Sequence, residues 1–128
     1  MDEKRILVVD DEPHIRDMYS LAFSKAGYGF QKAESAEEAL DILKKERYWV
    51  MFLDLNLPGM NGVDLCRRIC KAYPMTISYA VTGYASLFDL NECREAGFDD
   101  YFIKPTSLAD MVAAAEHAFK KLERWKQR

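Results

Sequence analysis

The chain lacks the features that would place it in several broad functional classes. It has no basic excess. Its 18 Lys and Arg face 21 Asp and Glu, a formal net charge of −3, whereas a nucleic-acid binder is usually basic. No apolar run approaches the roughly 18 residues of a membrane-spanning helix. No signal peptide reads at its start. Met1-Asp-Glu-Lys-Arg5 leads straight into an apolar run, so a cytoplasmic protein is expected. Three cysteines in 128 residues are an odd count and too few for a disulfide scaffold. Cys66 and Cys70 lack the spacing of a tetrahedral zinc site. They share a helical stripe with Val63, Ile69 and Tyr73 and read as small core hydrophobes. His14 and His117 have no partner ligand nearby in sequence and read as solvated or structural. Linkers and low-complexity segments are absent too, so residues 1–128 read as a single domain.

What is present is an alternation of strand and helix signals. The composition, 49% apolar and 30% charged, supports a packed core. Ile6–Val9 is a short apolar run read as strand one, and Pro13 suits the first turn of a helix. Ile15, Tyr19, Ala22, Phe23 and Ala26 form its stripe, with Gly27 as the stop. A weak strand spans Gly29–Ala33. Ser35-Ala-Glu-Glu38 is a capping-box signature opening helix two. Trp49–Leu53 is the strongest strand signal and ends on Asp54. The Pro58 and Gly59 loop precedes helix three, which runs to about Tyr73. Thr76–Val81 is strand four. Ser86, with Asp89 three residues on, opens helix four, and Gly97 closes it. Tyr101–Ile103 is strand five. Ser107 caps a last helix to about Trp125. Five such units predict an α/β fold: a doubly wound parallel sheet with helices on both faces. Flavodoxin-like order 2-1-3-4-5 is the common solution for five strands.

Parallel strands end at one edge. Here that edge carries Asp10 and Asp11 after strand one, Asp54 after strand three, Thr82 after strand four and Lys104 after strand five. Ligands in open α/β sheets bind there, where strand order reverses. Each residue has an ordinary explanation alone: a helix cap, a loop acid, a turn residue, a solvated lysine. Together they complement one another. Three carboxylates close together repel, which raises a pKa or demands a cation. Oxygen ligands favour a hard ion such as Mg²⁺. Mg²⁺ and an ammonium together suit phosphoryl transfer, and a carboxylate can itself be the nucleophile.

These residues resemble the response-regulator receiver domain of two-component signalling, over Lys4 to about Leu122. The motifs are Asp10-Asp11, "FLDLNLPGMNG" around Asp54, Thr82, and Lys104-Pro105. The resemblance implies a phosphorylation-activated switch rather than an enzyme, with Asp54 as phosphoacceptor. It implies Mg²⁺ on Asp11, Asp54 and the backbone carbonyl of Asn56, with Asp10 supporting the metal through water. Thr82 would hydrogen-bond the phosphoryl group, Lys104 would form an ion pair with it, and Tyr101 matches the family's switch aromatic. A histidine kinase or phosphotransfer protein would donate the phosphoryl group. The helix four, strand five and helix five face would then engage an effector or a second copy. No contact with membrane or nucleic acid is implied. Gly83 and Thr106 depart from the common pattern (Ala and an aromatic) without removing a chemical group.

Two further features bear on partners. "MVAAAEHAF" places Val112, Ala113, Ala114, Ala115 and Ala118 on more than one helix face, which suits either a contact surface or a good helix former. "KKLERWKQR" reads as a basic helix end or the start of a linker. The rival readings are a Mg²⁺-dependent phosphatase with an aspartate nucleophile and a binding module that never takes phosphate. Such phosphatases carry their nucleophile after strand one with a second Asp two residues on. Here Asp54 follows strand three and Asn56 stands two residues on. A tryptophan signal from Trp49 would report Mg²⁺ only if it lies near Asp54.

Overall fold

The computed structural model describes residues 4–83 and 90–126. In chain order the elements are β1 (Arg5–Val9), α1 (Pro13–Lys25), β2 (Gly29–Ala33), α2 (Ala36–Lys45), β3 (Val50–Asp54), α3 (Gly62–Ala72), β4 (Ile77–Thr82), α4 (Leu90–Ala96), β5 (Asp100–Ile103) and α5 (Leu108–Lys126). The strands form one parallel sheet in the order β2-β1-β3-β4-β5. The expected topology is therefore the observed one. Strands three and four begin and end one residue later than their apolar runs, because Asp54 and Thr82 continue the ladder. The expected helix-four start at Ser86 and Asp89 lies outside the described residues.

Period-two alternation splits the core into two. Ile6, Val8, Val50, Phe52, Ile77, Tyr79 and Val81 face α1 and α5, where Phe23 and Phe119 meet them. Leu7, Val9, Met51, Leu53 and Ala80 face α2, α3 and α4. Central strands buried on both faces read as continuous apolar runs, which is why β1, β3 and β4 were the legible ones. The β2 pattern is half exposed because it is an edge strand.

Local chemistry sets the helix starts. Pro13 stands at the first turn of α1, and its N-cap, Glu12, makes no side-chain cap bond. Neither Asp10 nor Asp11 caps that helix. Ser35 and Asn61 do cap α2 and α3, accepting from the backbone N–H of Glu38 at 3.1 Å and of Asp64 at 2.9 Å. Ser107 Oγ accepts from the Asp110 N–H at 3.3 Å. On α5, Met111, Ala115, Ala118, Phe119 and Leu122 are buried, and Val112 and Ala114 also pack on the core. Of the apolar residues singled out in "MVAAAEHAF", Ala113 alone is exposed. The expected surplus apolar face is mostly sheet-covering surface. Trp49 stacks under Arg47, with the guanidinium 4.4 Å from its ring centre. It stands five residues from Asp54, roughly 16 Å along the strand, so it is a poor reporter of that residue.

Tyr79 gives this packing a pH signature. Its ring contacts Phe52 and its hydroxyl donates to the Ala114 carbonyl at 3.0 Å. Burial raises its pKa from 10.0 to about 12. The folded state thus holds the phenol proton more tightly than the unfolded chain. That stability is complete below about pH 10 and is lost as pH rises toward 12. Tyr79→Phe should cost roughly 1 kcal/mol at neutral pH through the lost hydrogen bond. It should also flatten the decline in urea midpoint between pH 9 and 11, which denaturation at the two pH values measures.

Candidate functional site

Hydrogen bonds at the C-terminal edge of the sheet fix where the site residues stand. The Asp10 N–H donates to the Ala33 carbonyl at 3.0 Å, holding the end of β1 against β2. The Asp10 carbonyl accepts from buried Arg16 at 2.6 Å. The Glu12 N–H donates to Asp10 Oδ1 at 2.9 Å. At the end of β3 the Asn56 N–H donates to Asp54 Oδ1 at 3.0 Å. The Lys104 N–H donates to the Thr82 carbonyl at 2.8 Å, pinning the end of β5 to β4. The Lys104–Pro105 peptide is cis. Gly62 opens α3 so closely against the Asp54 backbone that a Cβ there would collide with the Asp54 carbonyl oxygen and stand 2.8 Å from Leu55 Cα. Glycine is required at that approach.

One cation meets three carboxylates. Lys104 Nζ lies 2.9 Å from Asp10 Oδ2, 3.3 Å from Asp54 Oδ2 and 3.3 Å from Glu12 Oε1. Asp10 and Asp54 are buried, and the lysine side chain is only 14% exposed. Burial alone would make the ammonium give up its proton more easily. The Asp10 hydrogen bond and charge, with Asp54 and Glu12 behind them, reverse this and hold its pKa above the ordinary lysine value. Burial pushes the Asp10 carboxyl up, against the opposing Glu12 N–H and Lys104.

The donor set suits a hard cation. Oxygens of Asp10, Asp11, Glu12 and Asp54 lie within 4.8 Å of one another. Asp11 is exposed and makes no hydrogen bond or ion pair to another described residue. Asp11, Glu12, Asp54, Asn56, Gly83 and Lys104 line a cleft of about 410 Å³. Four carboxylates facing one ammonium leave negative charge for a divalent ion to neutralise, and all the donors are oxygens. The residues present therefore fit Mg²⁺.

The structure brings together Asp10, Asp11, Asp54 and Lys104, with Asn56 at the rim. Thr82 is fully buried at the end of β4, and its neighbour Gly83 reaches the cleft. Tyr101 is elsewhere. It pairs with Ala80, sits half-buried against the α3–α4 side of the core, and lines a separate cleft with Leu90, Cys93 and Phe98. Sequence reasoning missed Glu12, Arg16 and Gly62. An acid two residues after Asp10 was a usable signal for Glu12. An arginine one turn into α1 was none, because only the fold shows it reaching back to Asp10.

A family model described as the response regulator receiver domain matches residues 6–116. Among solved structures, the chain is similar to a CheY-like response regulator receiver domain protein from Methanospirillum hungatei. The two are 29% identical over 96% of this chain and 98% of that one, with a TM-score of 0.89. It is also similar to a response regulator from Burkholderia pseudomallei with a phosphorylated aspartic acid, calcium ion and citrate: 25% identity, 97% of this chain and 73% of that, TM-score 0.82. NtrX from Brucella abortus in complex with ADP is 27% identical, with a TM-score of 0.89; 98% of this chain corresponds to 29% of that longer protein.

Lys104 is the charge that makes the cluster tolerable without a metal. Lys104→Met should destabilise the fold by about 3–5 kcal/mol in chelator, as expected for buried charges left without a partner. Adding Asp54→Asn to that variant should recover part of the loss by removing one carboxylate. Urea denaturation of the two variants checks both the size and the partial recovery.

Proposed function

The chain belongs to the response regulator receiver domain family, and from that membership we propose that it is a phosphorylation-activated switch whose phosphoacceptor is Asp54. The observation carrying this is the Asp54 carboxylate itself. It closes the floor of a cation-seeking cleft, with one oxygen oriented by the Asn56 N–H and the other by Lys104. Receiver domains are phosphoacceptor signalling domains, not enzymes of the ordinary kind.

The donor in this reading is a phosphohistidine on a histidine kinase or phosphotransfer protein. Its N–P bond breaks as an Asp54 oxygen bonds to phosphorus, giving an acyl phosphate. Asp11, Asp54 and the Asn56 carbonyl would hold Mg²⁺, with Asp10 supporting it through water. Mg²⁺ held there would supply positive charge to the phosphoryl oxygens. Lys104 then faces a group carrying more negative charge than the carboxylate it replaces, and shifts its ion pair toward it. Thr82 hydrogen-bonds the same group. Tyr101 turns toward the space Thr82 leaves, and the α4, β5 and α5 face repacks. Exposed Leu90 and Ile103, on α4 and β5, supply apolar area there for an effector or a second copy. Location in the cytoplasm fits this partner. No helix among the described residues is long and apolar enough to cross a membrane.

The phosphatase reading fares worse. Asp54 ends β3, Asn56 follows it two residues on, and the described residues form the sheet and its covering helices with no cap over the cleft. A phosphate-independent binding module leaves the buried Asp54–Lys104 pair without a use.

Acetyl phosphate with Mg²⁺ should add one phosphoryl mass to the wild-type chain and none to Asp54→Asn, as intact mass spectrometry would show. Full labelling of that variant would overturn the assignment. Beryllofluoride, a phosphoryl mimic, should shift the Leu90 and Ile103 amide resonances in the wild type. In Tyr101→Ala those shifts should fall by at least half, and unchanged shifts would remove Tyr101 from the switch.

A further inference from the structure

Outside the cleft, Cys66 and Cys70 lie one turn apart on α3 with their Sγ atoms 3.9 Å apart. Cys66 is fully buried and Cys70 half-buried. Two neighbours set this pair apart from ordinary core cysteines. Gly97, at φ 109°, leaves room beside Cys70, since a Cβ there would collide with Sγ, and its carbonyl accepts from that thiol at 3.7 Å. Ser78 is fully buried, and its Oγ has no hydrogen-bond partner of ordinary geometry. It lies close to Cys66. A buried hydroxyl left unpartnered costs roughly 1–3 kcal/mol.

The 3.9 Å separation selects among thiol chemistries. A disulfide needs sulfurs about 2.05 Å apart and Cβ atoms near 3.8 Å. Helix neighbours four residues apart hold their Cβ atoms at about 5–6 Å, so direct oxidation would break the last turn of α3. A shared central atom needs no such change. Two bonds of about 2.3 Å to one centre span that gap at an angle near 115°, close to tetrahedral. A divalent ion with two thiolates is also neutral overall, which a buried site tolerates.

We propose that Cys66 and Cys70 form a chelating dithiol site for a soft divalent metal ion, with Ser78 Oγ as an oxygen donor beside it. The ion replaces both thiol protons and releases them to solvent, so neither oxidant nor reductant is needed. The two thiols already meet in a sulfur–sulfur hydrogen bond, which the ion would replace. The carboxylate cleft prefers hard ions, so the two sites take different metals. Because Ser78 stands on β4, a bound ion would tie α3 to β4, and loss of the Cys70 thiol proton would release the hydrogen bond to the Gly97 carbonyl.

Cadmium titration of the reduced chain in excess Mg²⁺ tests this through the near-ultraviolet thiolate-to-metal charge-transfer band. The band should saturate at about one Cd²⁺ per chain with close to two protons released. Cys66→Ser and Cys70→Ser should each weaken binding at least tenfold, and Cys93→Ser should leave it unchanged. Absence of the band in the wild type, or an unaltered titration in Cys70→Ser, would overturn the proposal. Circular dichroism establishes that each variant is folded. If buried Cys66→Ser is not, the half-buried Cys70→Ser and Cys70→Ala decide the matter.

Discussion

One ammonium held against three carboxylates is the interaction around which the C-terminal edge of the sheet is arranged. Lys104 Nζ reaches Asp10, Asp54 and Glu12 at 2.9–3.3 Å. Its backbone is pinned to Thr82. Two of the acids, Asp10 and Glu12, come from the turn after β1, and the third ends β3. The lysine comes from β5, two strands away from β3 across β4. Only a parallel sheet in this order delivers them to one point. The cluster also cannot be neutralised by what the chain supplies, because Asp11 adds a fourth carboxylate with no cation of its own among the described residues. The deficit is the chemical property of the cleft, since it favours whatever brings positive charge or replaces a carboxylate with a better partner for Lys104.

Holding like charges together needs a platform that does not yield. The apolar runs of β1 and β3 are buried on both faces, and their alternation sends Phe52 and Val8 to one core and Leu53 and Leu7 to the other. The charged ends are tied into that platform by backbone groups rather than by side-chain packing. Ala33 holds the Asp10 N–H, Arg16 holds the Asp10 carbonyl, and Asn56 orients Asp54. Gly62 lets α3 start against the Asp54 backbone, a closeness any side chain would prevent. Burial makes each carboxylate costlier and each hydrogen bond to it stronger. Asp10 carries that cost visibly, since its carboxyl is pushed up by desolvation despite two opposing donors.

Much of this was legible from residues alone, for a physical reason. Strand-end positions are defined by where an apolar run stops, and a run buried on both faces stops abruptly, as Leu53-Asp54 does. The shared edge of Asp10, Asp54 and Lys104 followed from that and from parallel connectivity, whereas the strand order was the common solution for five strands rather than a derivation. What was not legible depends on distances between residues far apart in sequence. Arg16 could be read as a surface residue of α1, and only its contact with Asp10 shows otherwise. Alanines on α5 looked surplus because composition counts apolar residues without saying which way they turn. The structure turns Ala114 and Val112 toward the sheet and uses the Ala114 carbonyl to receive Tyr79. Cys66 was read correctly as a core residue on α3, while Cys70 is only half-buried at the edge of that core. Their sulfur separation and the unpartnered Ser78 hydroxyl were invisible, because Ser78 arrives from β4.

The same contrast between locked and loose strands decides where a change of charge at the cleft can go. β1 and β3 each pair on both edges and are sealed between helices, so neither moves without opening the core. β5 is four residues long, pairs only with β4, and is exposed at both ends. Lys104 is the residue immediately after it, so any new partner for its ammonium pulls on the least restrained strand of the sheet. Three residues back along that strand stands Tyr101, half-buried on the α4 side with an open cleft of about 500 Å³ beside it. The ring thus has room on one side and packing on the other. The sheet itself therefore makes β1 and β3, which position Asp10 and Asp54, the more restrained strands, and β5, which leads into Lys104, the less restrained one.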